Sequence, residues 1–236
     1  MNHIRYLGFS DLDPALAMAI DEMLFTRAVT SGGPATLRFF TFTTTCISIG
    51  RNQRPEDLPA GFAGSVSAIV RRPTGGGAVL HEHDLCYSLV LPETFLGSSS
   101  LLASYRTITA GIKSGFRLCG REVGYGNAEA HNRHPLCFEQ ALDYELTMDN
   151  KKLVGSAQRR AKGILLQQGS ILSRHSIGHG ELIRALLEGL RSTLHADYTG
   201  EPLTGKELES AKALSRDWTD QVSGSRNVDA ARHERV

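Results

Sequence analysis

Apolar positions along the chain fall into two periods, and stretches of the two alternate without a strict order. A helical period opens at Asp13-Pro14, an N-cap followed by a proline suited to the first turn. Leu16, Ile20, Met23 and Leu24 then share one face. Residues 36–41 and 46–49 read as strands, the second stopping at Gly50, with Arg51-Asn52-Gln53 as an ordinary polar loop beyond it. Residues 56–64, with Pro59 and Gly61, predict an irregular stretch or a short helix. The β-branched run 66–70 and the apolar run 85–91 predict two more strands, the latter buried. Ser100 caps a helix whose stripe is Leu101, Tyr105, Ile108, Ile112 and Phe116, with Gly120 as its stop. Residues 144–148 and 151–157 form a hairpin about Asp149-Asn150, and 163–172 adds a strand. Leu182, Ile183, Leu186, Leu187, Leu190 and Leu194 give a broad helical stripe. Thr204-Gly205-Lys206-Glu207 is a capping box for a last helix with Leu208, Ala211 and Leu214. Strands and helices mixed without βαβ alternation predict an α+β class.

Composition narrows the setting. The 236 residues predict one domain over 1–221, with a polar, disordered tail over 222–236. At 41% hydrophobic and 22% charged residues, the chain can bury a substantial core. A net charge of +1 implies no broad basic surface, so no nucleic-acid partner is expected. No apolar run is long enough to span a membrane, no signal peptide is visible, and the four cysteines form no C-x-x-C pair. The expected setting is a reducing cytoplasm, with no membrane partner.

The candidate chemistry centres on Arg71-Arg72-Pro73-Thr74-Gly75-Gly76-Gly77-Ala78-Val79-Leu80-His81, a glycine turn between β elements. Gly75, Gly76 and Gly77 permit positive φ and close approach of backbone N–H groups to a ligand. Arg71 and Arg72 carry forked donors suited to carboxylate or phosphate, and strand alternation points only one of them at the site. A phosphate-binding P-loop is excluded, because no Gly-Lys-Ser/Thr follows and the next element is a strand. The plain alternative is a hairpin tip with solvated arginines. Cys137 ends a long polar loop over 124–135 that reads as a binding or lid loop, with His131 and His134 before it. Either histidine could stabilise a thiolate, whereas an isolated cysteine is more often a small buried hydrophobe. His131-x-x-His134-x-x-Cys137 lacks a fourth zinc ligand at matching spacing, so no metal is expected. Lys152 precedes an apolar strand and Gly155, which places its ammonium near the sheet rim. His81 is either a donor to a ligand or a satisfied strand histidine.

Taken together, these pieces resemble the lipoate- and biotin-protein ligase superfamily, within it the octanoyltransferases and lipoate–protein ligases. The resemblance rests on the glycine turn through His81, Tyr144-Glu145-Leu146, Lys152-Leu153-Val154-Gly155-Ser156-Ala157-Gln158 and Gln168-Gly169-Ser170-Ile171-Leu172. Pro14-Ala15-Leu16-Ala17-Met18-Ala19-Ile20-Asp21-Glu22 and Leu37-Arg38-Phe39 extend it. It implies a mixed sheet flanked by helices, with an acyl tunnel under the turn. The implied substrate-binding residues are Arg71, Arg72, Gly75, Gly76, Gly77, His81, Gly155 and Ser156, and Lys152 would contact the acyl carbonyl. Cys137-Phe138 stands before Lys152 at the separation of the cysteine-dependent octanoyltransferases, which makes Cys137 the implied nucleophile. Such an enzyme takes octanoate from acyl carrier protein without a cofactor. It passes the acyl group to a lysine of a lipoyl carrier domain, as in 2-oxoacid dehydrogenase E2 subunits or the glycine cleavage H protein. The alternative is a lipoate–protein ligase, which needs ATP and Mg²⁺ to form a lipoyl-adenylate; Gly77 is usual there, where the cysteine enzymes carry arginine. Gln168 stands where both groups carry a histidine. A third reading is a non-catalytic binder of acyl groups or carrier domains.

Overall fold

The computed structural model describes residues 1–58, 66–97, 100–127, 141–172 and 176–223, with side chains through residue 216. Eleven described strands and four helices follow in the order β1 (Asn2–Leu12), α1 (Pro14–Ser31), β2 (Thr36–Phe42), β3 (Cys46–Ile49), β4 (Ala68–Arg71), β5 (Val79–His81) and β6 (Leu85–Pro92). The rest are α2 (Leu101–Leu118), β7 (Gly124–Tyr125), β8 (Leu146–Met148), β9 (Lys151–Ala161), β10 (Ile164–Ile171), α3 (His179–Leu194), β11 (Ala196–Gly200) and α4 (Gly205–Ser223). Short 3₁₀ turns occupy Pro55–Asp57 and Glu93–Leu96.

The described strands make a mixed sheet in the order β11-β1-β2-β6-β10-β9-β8-β7 and a separate small sheet, β4-β3-β5. β1 runs parallel to both β11 and β2, and β2, β6, β10 and β9 are successively antiparallel. The period of two sorts the central strands cleanly. Leu37 and Phe39, then Leu85, Tyr87, Leu89 and Leu91, then Leu165 and Ile171 face Ile108, Ile112, Phe116, Leu182, Leu186 and Leu190 of α2 and α3. Phe40, Cys86, Val90 and Leu166 face the other way, toward Met18, Ile20, Leu24 and Phe25 of α1 and Ala211 of α4. On that second face the small sheet lies over the main one, and the site forms between them.

Caps set the helix ends as their residues require. The Asp13 carboxylate accepts from the amides of Ala15 and Leu16 at 3.0 and 3.1 Å, and Gly32 closes α1 at φ 66°. Ser100 accepts from Ala103 N at 3.4 Å to start α2. Thr204 and Glu207 exchange the expected bonds at the start of α4. Glu207 does more than cap: it is buried against Arg5 of β1 at 2.8 Å and Arg27 of α1 at 2.6 Å. The Arg5 hydrogen bond outweighs burial and lowers the carboxyl to about 2.

Three expectations need correction. α1 is buried nearly all round, through Ala17, Met18, Ala19, Ile20, Asp21, Leu24 and Phe25, while Leu16 and Met23 are only partly covered. The helix lies between the sheet and α4, so a one-sided stripe does not describe it. β1 and β11 were not expected; β1 carries polar residues through its length and shifts register between Tyr6 and Phe9, which breaks its period. The glycine turn does not lead straight into β6 either, because β5 intervenes and pairs with β3 in the small sheet.

Candidate active site

The glycine turn is held from within. Arg72 lies buried beneath it, and its five N–H donors meet backbone and serine oxygens. Nε and Nη2 donate to Gly75 O at 3.1 and 2.6 Å, and Nη2 also to Gly77 O at 2.7 Å. Nη1 donates to Ser48 O at 2.9 Å and Ser48 Oγ at 3.3 Å. Arg71 points the other way and gathers the carbonyls of Gly50, Arg51 and Gln53 through Nη1. Both arginines therefore shape the loops, and of the two it is Arg72 that reaches the cleft wall. Gly76 sits at φ 89°, where a Cβ would come 2.9 Å from Arg72 Nη2. Gly50 is equally constrained, since a Cβ there would lie 2.0 Å from Gly76 O.

Two hydrogen-bond networks tie the turn and small sheet to the main sheet. In the first, Thr74 Oγ1 donates to Gln168 Oε1 at 2.7 Å, and Gln168 Nε2 donates to Asp21 Oδ2 at 2.6 Å. Asp21 in turn accepts from Arg38 Nε at 2.8 Å. One amide thus accepts from the turn and donates to α1, a pairing that also suits a neutral imidazole. In the second, His81 Nε2 meets Ser48 Oγ at 2.8 Å and His81 Nδ1 meets Asp84 Oδ2 at 2.8 Å. The same Asp84 oxygen accepts from Ser170 Oγ and, at 3.3 Å, from Cys86 Sγ. Burial alone would raise the Asp84 carboxyl. The neighbouring His81 and the bonds from His81, Ser170 and Cys86 hold it below the usual range.

Between these networks opens a cleft enclosing about 420 Å³, open solvent included. Met18 of α1, Phe40 and Phe42 of β2, Val79 of β5 and Cys86 of β6 supply apolar wall. Ser48, Arg72, His81, Gln168 and Ser170 complete it, with Gly155, Ser156 and Ala157 of β9 along one side. The lining suits a mostly apolar ligand.

The structure brings Arg72, His81, Gly155 and Ser156 to this cleft and sets Gly75, Gly76 and Gly77 directly over Arg72. Lys152 is not in its wall. It is the second residue of β9, three before Gly155, and is buried in an ion pair with Glu145, Nζ to Oε2 2.7 Å, both side chains 3% exposed. The sheet-rim ammonium read from the sequence is thus an internal one, because Glu145 is itself buried and supplies its counter-ion. Cys137, His131, His134, the greater part of the polar loop and the tail from 224 lie outside the described residues. Cys46 and Cys86 are buried thiols. Burial first and the Asp84 charge next push Cys86 well up and Cys46 up likewise, so neither is a ready thiolate. Ser48, Asp84 and Thr74 were missed. Ser48 is the lone hydroxyl in the apolar run Cys46-Ile47-Ser48-Ile49, which was the available signal for it; Asp84 ends the polar stretch His81-Glu82-His83-Asp84, and no local pattern marks it as buried. Among the described residues, His81, Asp84 and Cys86 are also the group whose donor atoms could converge on a cation, all within 4.8 Å of one another.

A family model described as the lipoyl protein ligase A/B catalytic domain matches residues 13–199. A protein named octanoyltransferase LipM from Clostridioides difficile is 39% identical over 180 residues, which is 73% of this chain and 66% of the relative. Its namesake from Exiguobacterium sibiricum is 36% identical over 211 residues, 84% of this chain and 76% of the relative. The fold is shared with a bi-partite lipoate protein ligase from Thermoplasma acidophilum, TM-score 0.72 at 20% identity, over 98% of this chain and 100% of that one.

Proposed function

The chain belongs to the lipoyl protein ligase A/B catalytic-domain family, and from that premise we propose that it is an octanoyltransferase of protein lipoylation. The observation that carries the reading is the cleft beneath the glycine turn, whose apolar wall of Met18, Phe40, Phe42, Val79 and Cys86 suits an acyl chain. The donor is an octanoyl thioester on acyl carrier protein, and the acceptor is a lysine of a lipoyl carrier domain. The Thermoplasma fold relative, described with its E2 lipoyl domain, is consistent with that acceptor class.

In this reading Cys137 attacks the thioester carbonyl, a C–S bond forms at Cys137, and the carrier thiol leaves. The amine of the acceptor lysine then displaces Cys137 and gives the amide. One thioester makes another at little cost, and aminolysis runs downhill, so neither ATP nor Mg²⁺ is required. The nucleophile divides the transfer into two displacements. Lys152, held by Glu145, offers positive charge for the oxyanion that develops in each. Arg72 keeps the turn closed over the chain, and Gly76 is the residue its backbone conformation permits.

The test is intact-mass spectrometry with octanoyl–acyl carrier protein alone. The expected product is one octanoyl adduct, labile to hydroxylamine and mapping to Cys137, with subsequent transfer to an apo lipoyl domain. A second reading, an ATP-dependent lipoate ligase, draws on Gly77 and on the ligase fold relatives. It requires no adduct, an absolute need for ATP and Mg²⁺, and full activity in Cys137→Ala.

A further inference from the structure

The geometry points to a second, hydrolytic activity: Ser48, His81 and Asp84 form a nucleophile relay in the wall of the cleft, cleaving medium-chain acyl esters and thioesters independently of Cys137. The strand register builds it. In the antiparallel pair β3–β5, Ser48 lies opposite Val79, so His81 is its diagonal neighbour on the same face. Asp84 returns beneath the ring after a turn in which His83 takes φ 65°.

The proton positions follow from the acceptors. Asp84 is ionised and can only accept, so His81 donates Nδ1–H to it at 2.8 Å. In the tautomer with its proton on Nδ1, the ring's Nε2 is the acceptor for the Ser48 hydroxyl at 2.8 Å. This is the serine–histidine–acid arrangement of general-base nucleophilic catalysis, identified by geometry rather than by position in a sequence. Arg72 Nη1, 3.3 Å from Ser48 Oγ, adds a cation beside the oxygen that must lose its proton. Ser170 and Cys86 bond the acid and fix its orientation, as a supporting group should. Ser48 and His81 both line the cleft, so an acyl group held there lies beside the hydroxyl.

The step balances without a redox partner. Ser48 Oγ attacks the acyl carbonyl while His81 Nε2 takes the hydroxyl proton. The C–S or C–O bond breaks, and His81 returns the proton to the leaving thiolate or alkoxide. Water then attacks the Ser48 ester, delivering one proton through His81 back to Ser48 Oγ and releasing the fatty acid. The proposal rests on the cleft accepting an acyl chain, as in the transferase reading, but needs neither Cys137 nor a carrier lysine.

The experiment uses p-nitrophenyl octanoate and an octyl fluorophosphonate on the full chain. Cys137→Ala is expected to release p-nitrophenol and to take one phosphonyl group that maps to Ser48. The same protein, heat-denatured, takes none. In the Cys137→Ala background, Ser48→Ala and Asp84→Asn are each expected to slow hydrolysis at least a hundredfold. Hydrolysis unchanged by Ser48→Ala, or a folded protein whose Ser48 stays unlabelled, overturns the relay. Octanoyl–acyl carrier protein run in parallel on the wild type keeps the two readings apart. A Cys137 adduct with Ser48 silent removes the hydrolytic activity alone, and a labelled Ser48 without any transfer removes the transferase alone.

Discussion

Replacing Gln168 by leucine tests the claim that one side-chain amide holds the glycine turn to α1. Leucine is close in size and keeps the apolar volume, so the loss comes from two hydrogen bonds. Thr74 Oγ1 loses its acceptor at 2.7 Å, and Asp21 Oδ2 loses a donor at 2.6 Å. Thr74 and Asp21 are both fully buried, so water does not take Gln168's place. A neutral bond contributes about 1 kcal/mol and one to a charged group about 1.5–3 kcal/mol, so Gln168→Leu should lower the unfolding free energy by roughly 2.5–4 kcal/mol. Urea denaturation at pH 7.5 measures it, and hydrogen exchange at the amides of Gly75, Gly76 and Gly77 should speed up with it. Gln168→His supplies the control. A neutral imidazole both accepts and donates, so it should retain most of the stability at pH 8. A Gln168→Leu protein within about 0.5 kcal/mol of the wild type, below the size of one buried hydrogen bond, would refute the assignment.

Lys152→Ala should cut octanoyl transfer about a hundredfold or more, and should also lower stability by roughly 3–5 kcal/mol because Glu145 is left buried without its cation. Paired rate and denaturation measurements separate the two effects, and near-normal turnover would end the proposed role. Gly76→Val should abolish binding of an octanoyl donor measured by calorimetry, since φ 89° and a Cβ at 2.9 Å from Arg72 Nη2 both oppose it. Cys137→Ser should abolish the octanoyl adduct, the hydroxyl being the weaker nucleophile, as mass spectrometry will read. The Glu207 carboxyl is lowered in the fold, so its contribution is complete above its ordinary value of 4.5 and is lost as pH falls from there to about 2. Acid unfolding of Glu207→Gln should accordingly show a flatter pH dependence in that window.

Elements with a strong period were legible: β3, β6, α2, α3 and the hairpin at Asp149-Asn150, whose positive φ values of 51° and 58° are those its turn type requires. β1 and β11 escaped because pairing, not pattern, makes them strands. β1 mixes Arg5, Ser10 and Asp11 into its length, and β11 is the polar Ala-Asp-Tyr-Thr-Gly. The glycine turn was legible as a site, but the partners of its arginines were not. Arg72 looked like a ligand group because forked donors fit anions; its burial beneath the carbonyls of Gly75 and Gly77 is a tertiary fact. Lys152 was read correctly as an unusual lysine and incorrectly as an outer one, since Glu145 was not seen as its partner. Ser48 and Asp84 meet only through the β3–β5 register, which no local pattern specifies.

β1 occupies an inner place in the main sheet, yet its outer neighbour is β11, with Asn2 opposite Ala196. The second strand edge of β1 therefore stays unpaired on the ribosome until residues 196–200 have emerged. At about 5–20 residues per second, that interval is roughly 10–40 s. Arg5 and Arg27 wait longer still, for Glu207. The newborn protein thus carries an open β edge and two unmet cations while the residues up to 196 and 207 are made, and its dependence on chaperones should exceed what the finished fold's stability implies.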